Sequence, residues 1–280
     1  MSGAARLVCA LGDLLLDVVV TGDGPVTTAA DTYSSISAGP GGQAANVASW
    51  VVALGGEARL VAKRAEDPVG EMLARGLMQA GVDVVGPVGP GGRTGVVVSL
   101  SGFDNERSML TDRGVAPLLD ERELDRAWFG TGCWLHLPLY SLVDAPIRAA
   151  ALRARRWSTG ASLDLSSLTV INALGPQQVS RLVAEVAPDI VFANEAESAL
   201  VPLEGVPTVV VKLGSRGVLV NGEIYGAETV AALDTTGAGD AFAAGFLLGG
   251  AELGLAAAAR AVAQRGAQPP ARLSAVRGAI

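Results

Sequence analysis

Lysine, histidine, cysteine and aromatic side chains are scarce in this 280-residue chain, and each shortage removes a class of function. Lys63 and Lys212 are the only lysines, no basic run occurs, and the net charge is −7, so nucleic-acid binding is not expected. One histidine, His136, and two cysteines leave no Cys/His pair at metal-ligand spacing; His136 reads as a pocket-wall or core residue rather than a ligand. Cys9 and Cys133 stand far apart in apolar surroundings, so buried thiols in a reducing compartment are expected, not a disulfide. No G-x-x-x-x-G-K-[ST] loop is present, which excludes a P-loop nucleotide site. The longest charge-free apolar stretch, residues 241–251, is too short to span a bilayer, and Asp13 and Asp17 interrupt the apolar start of the chain, which argues against a secretory leader. A soluble, cytoplasmic protein without membrane partners is expected.

Alanine, glycine and valine are abundant instead, and half the residues are apolar, enough for a substantial core of helices packed closely on a sheet. Strands are expected at 7–11, 60–62, 134–139, 162–165, 190–193 and 208–212, and helices at 43–54, 67–81 and 145–157. Residues 94–100 and 106–112 alternate about a turn at Asp104-Asn105, the pattern of a hairpin. Strands that alternate with helices predict an α/β fold with a mostly parallel sheet covered on both faces. Its ligands should lie at the carboxyl ends of the strands, where Asp164, Asn194, Lys212, Gly214 and the 234–240 turn would gather. No linker divides the chain, so 1–280 is read as one domain carrying a β-flap of about 18–38 and 93–113. An exposed strand edge on that flap makes a homodimer an expectation.

The most informative stretch is Asp234-Thr235-Thr236-Gly237-Ala238-Gly239-Asp240, followed by a run of small apolar residues. A glycine-rich turn that opens a helix aims several N–H groups at one point, at the positive end of the helix dipole, and so holds an anion. Asp240 would repel that anion. Its position makes sense if it takes the proton from a hydroxyl that attacks a phosphorus held by Gly237, Ala238, Gly239 and Asp240 itself. Helix capping is the plainer alternative for Asp240.

This run resembles the C-terminal signature of the PfkB, or ribokinase-like, sugar kinases. Gly41-Gly42-Gln43-Ala44-Ala45-Asn46 resembles the same family's G-G-x-x-A-N signature, with Gln43 in place of the more usual Asn or Lys. The resemblance implies a three-layer α/β/α sandwich with a small lid, ATP and Mg²⁺ as partners in catalysis, and a small sugar phosphorylated on a primary hydroxymethyl group. It further implies Asp240 as base, with Asp17, Gly41, Gly42 and Asn46, together with Asp13, at the sugar. Asn194, Glu197, Lys212, Gly214, Gly217 and Thr235 would serve the nucleotide and phosphates, Glu197 through an indirect contact to Mg²⁺. Gly266-Ala267-Gln268-Pro269 resembles ribokinases in particular, which makes Asp234 and the Thr236 carbonyl candidates for a monovalent cation such as K⁺. Arg107 falls where the family's flap carries G-E-R, although a hairpin salt bridge accounts for it as well. A nucleoside kinase of the same family, with Tyr33, Trp134 or Tyr140 stacking on the base, is an alternative. More distant ones are a dinucleotide-dependent oxidoreductase built on the G-x-G-x-x-A match at 39–44 and a non-catalytic sugar-binding protein.

Overall fold

The computed structural model describes residues 7–22, 24, 29, 31–102 and 108–270. The turn expected at Asp104-Asn105, and Arg107, lie outside the described residues. The strands are β1 (Val8–Leu11), β2 (Leu15–Thr21), β3 (Ser35–Gly41), β4 (Ala58–Val61), β5 (Arg64–Ala65), β6 (Asp83–Val85), β7 (Val88–Gly89), β8 (Thr94–Ser101), β9 (Ser108–Gly114), β10 (Trp134–Pro138), β11 (Gly160–Asp164), β12 (Ile190–Asn194), β13 (Thr208–Lys212), β14 (Val218–Val220) and β15 (Glu223–Tyr225). The helices are α1 (Gln43–Ala53), α2 (Pro68–Gln79), α3 (Ala145–Trp157), α4 (Leu168–Leu174), α5 (Pro176–Val186), α6 (Glu195–Leu200) and α7 (Ala238–Val262).

Nine strands form the central sheet in the order β15-β14-β13-β12-β11-β10-β1-β4-β6. All neighbours are parallel except β13-β14 and β14-β15. Successive side chains of a strand point to opposite layers, so the apolar runs feed two cores. Val8, Ala10, Leu60 and Phe192 face α1, α2 and α7. Cys9, Leu11, Leu135 and Leu163 face α3 and α5, whose Val179, Leu182, Val183 and Val186 form one apolar stripe. The Cys9 and Cys133 thiols, distant in sequence, meet in this second layer as free, buried cysteines. A hydrogen bond between them, reinforced by burial, pushes the Cys9 thiol up.

Helix α7 is long and apolar enough to cross a membrane by length and composition alone. Here it is a core helix: Phe242 and Phe246 stack edge-on against Phe192 at 6.1 and 5.4 Å, and non-helical dihedrals at Gly249 and Gly250 bend it midway.

The chain leaves the central sheet after β1, because Gly12 and Asp13 redirect it into β2 of a second sheet ordered β3-β2-β8-β9. A Cβ on Gly12 would lie 2.9 Å from the Cβ of Ala44, so only glycine makes this exit against α1. The flap therefore comprises residues 15–21, 35–41, 94–101 and 108–114, and starts earlier than its apolar pattern suggested. Strand order reverses at β1: the chain first builds outward through β4 and β6, then returns to lay β10 on the other side. The crevice above the carboxyl ends of β1 and β10 is thus the topological switch point, roofed by the flap.

Asp67 joins flap to body. Its Oδ1 accepts from the Gly70 N–H (2.7 Å) at the start of α2 and from the Thr94 hydroxyl (2.6 Å), while Oδ2 accepts from the Thr94 N–H (2.7 Å) at the start of β8. Burial opposes the charge, but these bonds hold the carboxyl below its ordinary value of 3.8. A lowered pKa contributes stability above the unfolded value and loses it as pH falls through the folded one. Asp67→Ala is expected to cost about 1–2 kcal/mol of stability at pH 7, read as a lower Tm, with a smaller difference below pH 4. Equal Tm values at pH 7 would dismiss the clasp.

Candidate active site

A cavity of about 750 Å³ lies under the flap and runs along the carboxyl rim of the sheet. Its flap end is lined by Asp13, Leu15, Asp17, Val97, Thr111 and Arg113; its far end reaches Asp164, Asn194, Glu197, Lys212 and the turn 235–240. Of the residues expected at the site, Asp13, Asp17, Gly42, Asn46, Asn194, Glu197, Lys212, Thr235, Thr236, Gly237, Gly239 and Asp240 all line this one cavity. Gly41, Gly214, Gly217, Asp234 and Ala238 are not among its lining residues. Gly217 has a local reason for being glycine, since φ is 102° and a Cβ would lie 2.0 Å from the Tyr225 carbonyl oxygen. Arg216 pairs with Glu195 on the surface rather than entering the cavity. His136 is wholly buried in the sheet, where its Nδ1 meets Ser162 Oγ at 2.9 Å and burial lowers its pKa to about 4.

Gly237 begins α7 in the left-handed region (φ 75°), and a Cβ there would lie 2.5 Å from Ala267 Cα. The Ala238 N–H reaches the Thr235 carbonyl at 3.3 Å, whereas among the described residues the Gly239 and Asp240 N–H groups donate to no backbone carbonyl. They are left for an anion at the positive end of the helix. The turn is braced by Asp234, whose Oδ1 accepts from the Thr236 N–H (2.8 Å) and hydroxyl (2.6 Å) and whose Oδ2 accepts from the Gly266 N–H (2.9 Å). Asp234 thereby clips the anion turn to the 266–268 loop.

Asp240 sits in the first turn of α7 with its side chain against Asn46 of α1. Asn46 Nδ2 donates to Asp240 Oδ2 at 2.8 Å, and Asn46 Oδ1 accepts from Gln268 Nε2 at 2.7 Å. Asn46, expected at the sugar, lines the cavity and also touches the Asp240 carboxylate, with Gln268 fixing which way its amide points. Burial raises the Asp240 pKa to about 7; the Asn46 bond lowers it, Asp164 raises it and Lys212 lowers it. A carboxylate with this value is a competent base near neutrality.

Lys212, at the end of β13, donates to Asp164 Oδ2 at 2.7 Å from a half-buried position beside Gly239. Burial works against its charge, yet Asp164, Glu197 and Asp240 together keep its pKa above the ordinary value. One of its three N–H groups is engaged by Asp164, which leaves donors for phosphate oxygens. Asn194 and Glu197 form a reciprocal capping box at α6: the Glu197 N–H donates to Asn194 Oδ1 and the Asn194 N–H to Glu197 Oε2, both at 2.9 Å. The capping role is thus real, but it also holds a buried carboxylate at the cavity wall, where burial and then Asp164 push its pKa up. Three carboxylates facing one ammonium is an excess of negative charge that suits a divalent cation. Among the described residues no group of three His, Cys, Asp or Glu is placed to hold a metal by itself. A fitting ion is one that keeps water and phosphate ligands, as Mg²⁺ does.

At the flap end, Asp17 lies on β2 with its carboxylate packed over Gly41: a Cβ there would lie 2.0 Å from Asp17 Cγ. Gly42 (φ 93°) passes so close to the chain that a Cβ would lie 2.3 Å from the Asp13 carbonyl oxygen. Asp13 itself, expected at the sugar, is bound by Arg113 of β9, whose Nε meets Oδ2 at 2.6 Å and whose Nη2 meets Oδ1 at 2.9 Å. Arg113 did not emerge from the sequence. The period-two alternation of 109, 111 and 113 was the available signal, since it places all three on the cavity face of the flap.

Residues 5–272 match the profile of the pfkB family of carbohydrate kinases. Fructokinase-1 of Oryza sativa is 32% identical over 273 residues, covering 88% of this chain and 84% of the relative. An ATP-dependent ribose-1-phosphate kinase of Halopiger xanaduensis is 32% identical over 221 residues, covering 74% and 72%. The crystal structure of an adenosine kinase from Sinorhizobium meliloti superimposes with a TM-score of 0.82 at 24% identity, covering 95% of this chain and 97% of that one. The overlap extends to the whole ribokinase-like α/β architecture. A chain matched over this length, carrying both glycine turns on one cavity, belongs to the pfkB family of carbohydrate kinases and is an ATP-dependent sugar phosphotransferase.

Proposed function

We propose that this chain transfers the γ-phosphoryl group of ATP to the primary hydroxymethyl group of a small sugar, of the kind used by ribokinases and fructokinases, with Asp240 as general base. The observation that carries the reading is the place of Asp240: half-buried, its pKa pushed up to about 7, and held by Asn46 in the same cavity as Asp17 and beside the Gly239 and Asp240 amides. Asp17 would hold the sugar hydroxyls, with Gly41 and Gly42 allowing close approach. Asp240 Oδ would accept the hydroxyl proton as the oxygen forms its bond to the γ-phosphorus and the bond to the ADP oxygen breaks in line. The N–H groups of the turn and the Lys212 ammonium would hold the transferring group, each fixed donor worth about 3–4 kcal/mol by analogy with oxyanion holes. Mg²⁺ would be carried on the phosphates near Glu197 and supplies neutralisation of their charge. Asn46 is assigned as the positioning residue of the base, and Asp234 as the brace of the turn. The flap excludes water, which would otherwise compete as acceptor.

The nucleoside reading is less well supported. Tyr33 is almost fully exposed, the Trp134 indole N–H is engaged by Ser162, and the Arg113 guanidinium covers the Tyr140 ring at 5.6 Å.

Asp240→Asn is expected to fold with a Tm at neutral pH no lower than the parent's and to bind ATP, while kcat falls by about two to four orders of magnitude. Turnover close to that of the parent would remove Asp240 from this role. The acid limb of kcat/KM should lie near pH 7, with activity rising as Asp240 loses its proton. Because the Asn46 bond favours the carboxylate, Asn46→Ala is expected to move that limb to higher pH. A limb that stays in place, or moves down, would contradict the positioning role.

A further inference from the structure

Among the described residues, the two cations that line the cavity, Arg113 and Lys212, are not equally able to receive an anion. Arg113 donates from Nε and Nη2 to Asp13, from Nη2 also to the Tyr140 carbonyl (3.0 Å), and from Nη1 to Asp144 Oδ2 (2.6 Å). Four of the five N–H groups of the guanidinium are thus engaged by the protein. No fork remains for a phosphate or a sugar carboxylate, which Arg grips best through two parallel bonds. The charge is also more than matched, because two carboxylates touch one guanidinium. Asp17 stands on the same face of the flap two strands away, at about 10 Å from strand spacing alone, and Asp240 closes the far side. Lys212, by contrast, keeps donors at the end where phosphates are expected.

Resting on the proposed acceptor site, we infer that the flap end admits only uncharged sugars and rejects sugar phosphates and sugar acids. Arg113 is a strut there: it ties β9 to the turns after β1 and β10, and its pairing with Asp13 and Asp144 makes the wall net negative. The relatives matched by this chain act on acceptors of both kinds by name, a fructokinase and a ribose-1-phosphate kinase. The guanidinium pairing separates the two.

The test compares ADP release with ribose against ribose 1-phosphate, and with fructose against fructose 1-phosphate, each phosphate ester keeping a free primary hydroxymethyl group. The uncharged member of each pair is expected to have kcat/KM at least 100-fold higher. A sugar phosphate turned over as well as its parent would overturn the inference. Asp144→Ala, which releases Nη1 and removes one opposing charge, is expected to shrink that discrimination at least tenfold; an unchanged ratio would show that the pairing is not its source. Should none of the four be phosphorylated, the kinase assignment of the acceptor site fails. The charge selection is then judged by calorimetry with ADP and Mg²⁺ present, where ribose 1-phosphate binding as tightly as ribose would refute it.

Discussion

The hydrogen bond from Asn46 to Asp240 joins the N-termini of α1 and α7, and the placement of the whole site depends on it. These helices lie side by side in one layer, so one amide at the head of α1 can reach one carboxylate at the head of α7. The contact is reinforced from behind. Gln268 fixes the Asn46 amide, Trp50 Nε1 donates to the Ala267 carbonyl at 2.8 Å, and Asp234 holds Gly266. The 266–268 loop therefore acts as a wedge that sets the distance between the two glycine turns. A base and an anion cradle carried on separate helices would otherwise drift with every adjustment of helix packing, and sub-ångström drift is costly in phosphoryl transfer.

The same arrangement imposes an electrostatic tension. Asp240, Asp164 and Glu197 are gathered around the Lys212 ammonium, and burial, then the Asp164 charge, push the Asp240 and Glu197 carboxyls up. For Asp240 the folded pKa of about 7 lies above its ordinary 3.8, so the protonated form stabilises the fold at low pH and that contribution is lost as pH rises through 7.

Much of this was legible before folding, and the reason is steric. Gly237, Gly41 and Gly42 stand out in the sequence because no other residue fits, and the structure names the atom that forbids each Cβ: Ala267 Cα, Asp17 Cγ and the Asp13 carbonyl oxygen. Short apolar runs marked the parallel strands for a similar reason, since burial on both faces leaves no polar positions. The antiparallel pair β14-β15 and helices α4 and α5 were harder to see, being short segments whose identity depends on neighbours. The alternation of 109, 111 and 113 put Arg113 on one face of its strand, but its Asp13 partner, like the Cys9–Cys133 contact, lies a hundred or more residues away and left no sequence signal.

The glycine turns and the ion pairs are therefore two parts of one constraint, read from opposite sides. Gly41 leaves the space that the Asp17 carboxylate fills, and Gly237 the space that the Ala267 backbone fills. Asp13 shows how far such space can be put to another use. Its backbone forces Gly42 to be glycine, yet its side chain faces Arg113 and binds the flap. A residue in the family position thus keeps the fold of the site while its carboxylate serves the lid. A mostly buried bidentate pair of this kind is weak evidence for stability, since desolvation offsets most of the attraction; its geometric contribution is to fix where β9 ends. The lid is held at the switch point of the sheet by charge, and that choice of anchor leaves the wall facing the acceptor negative.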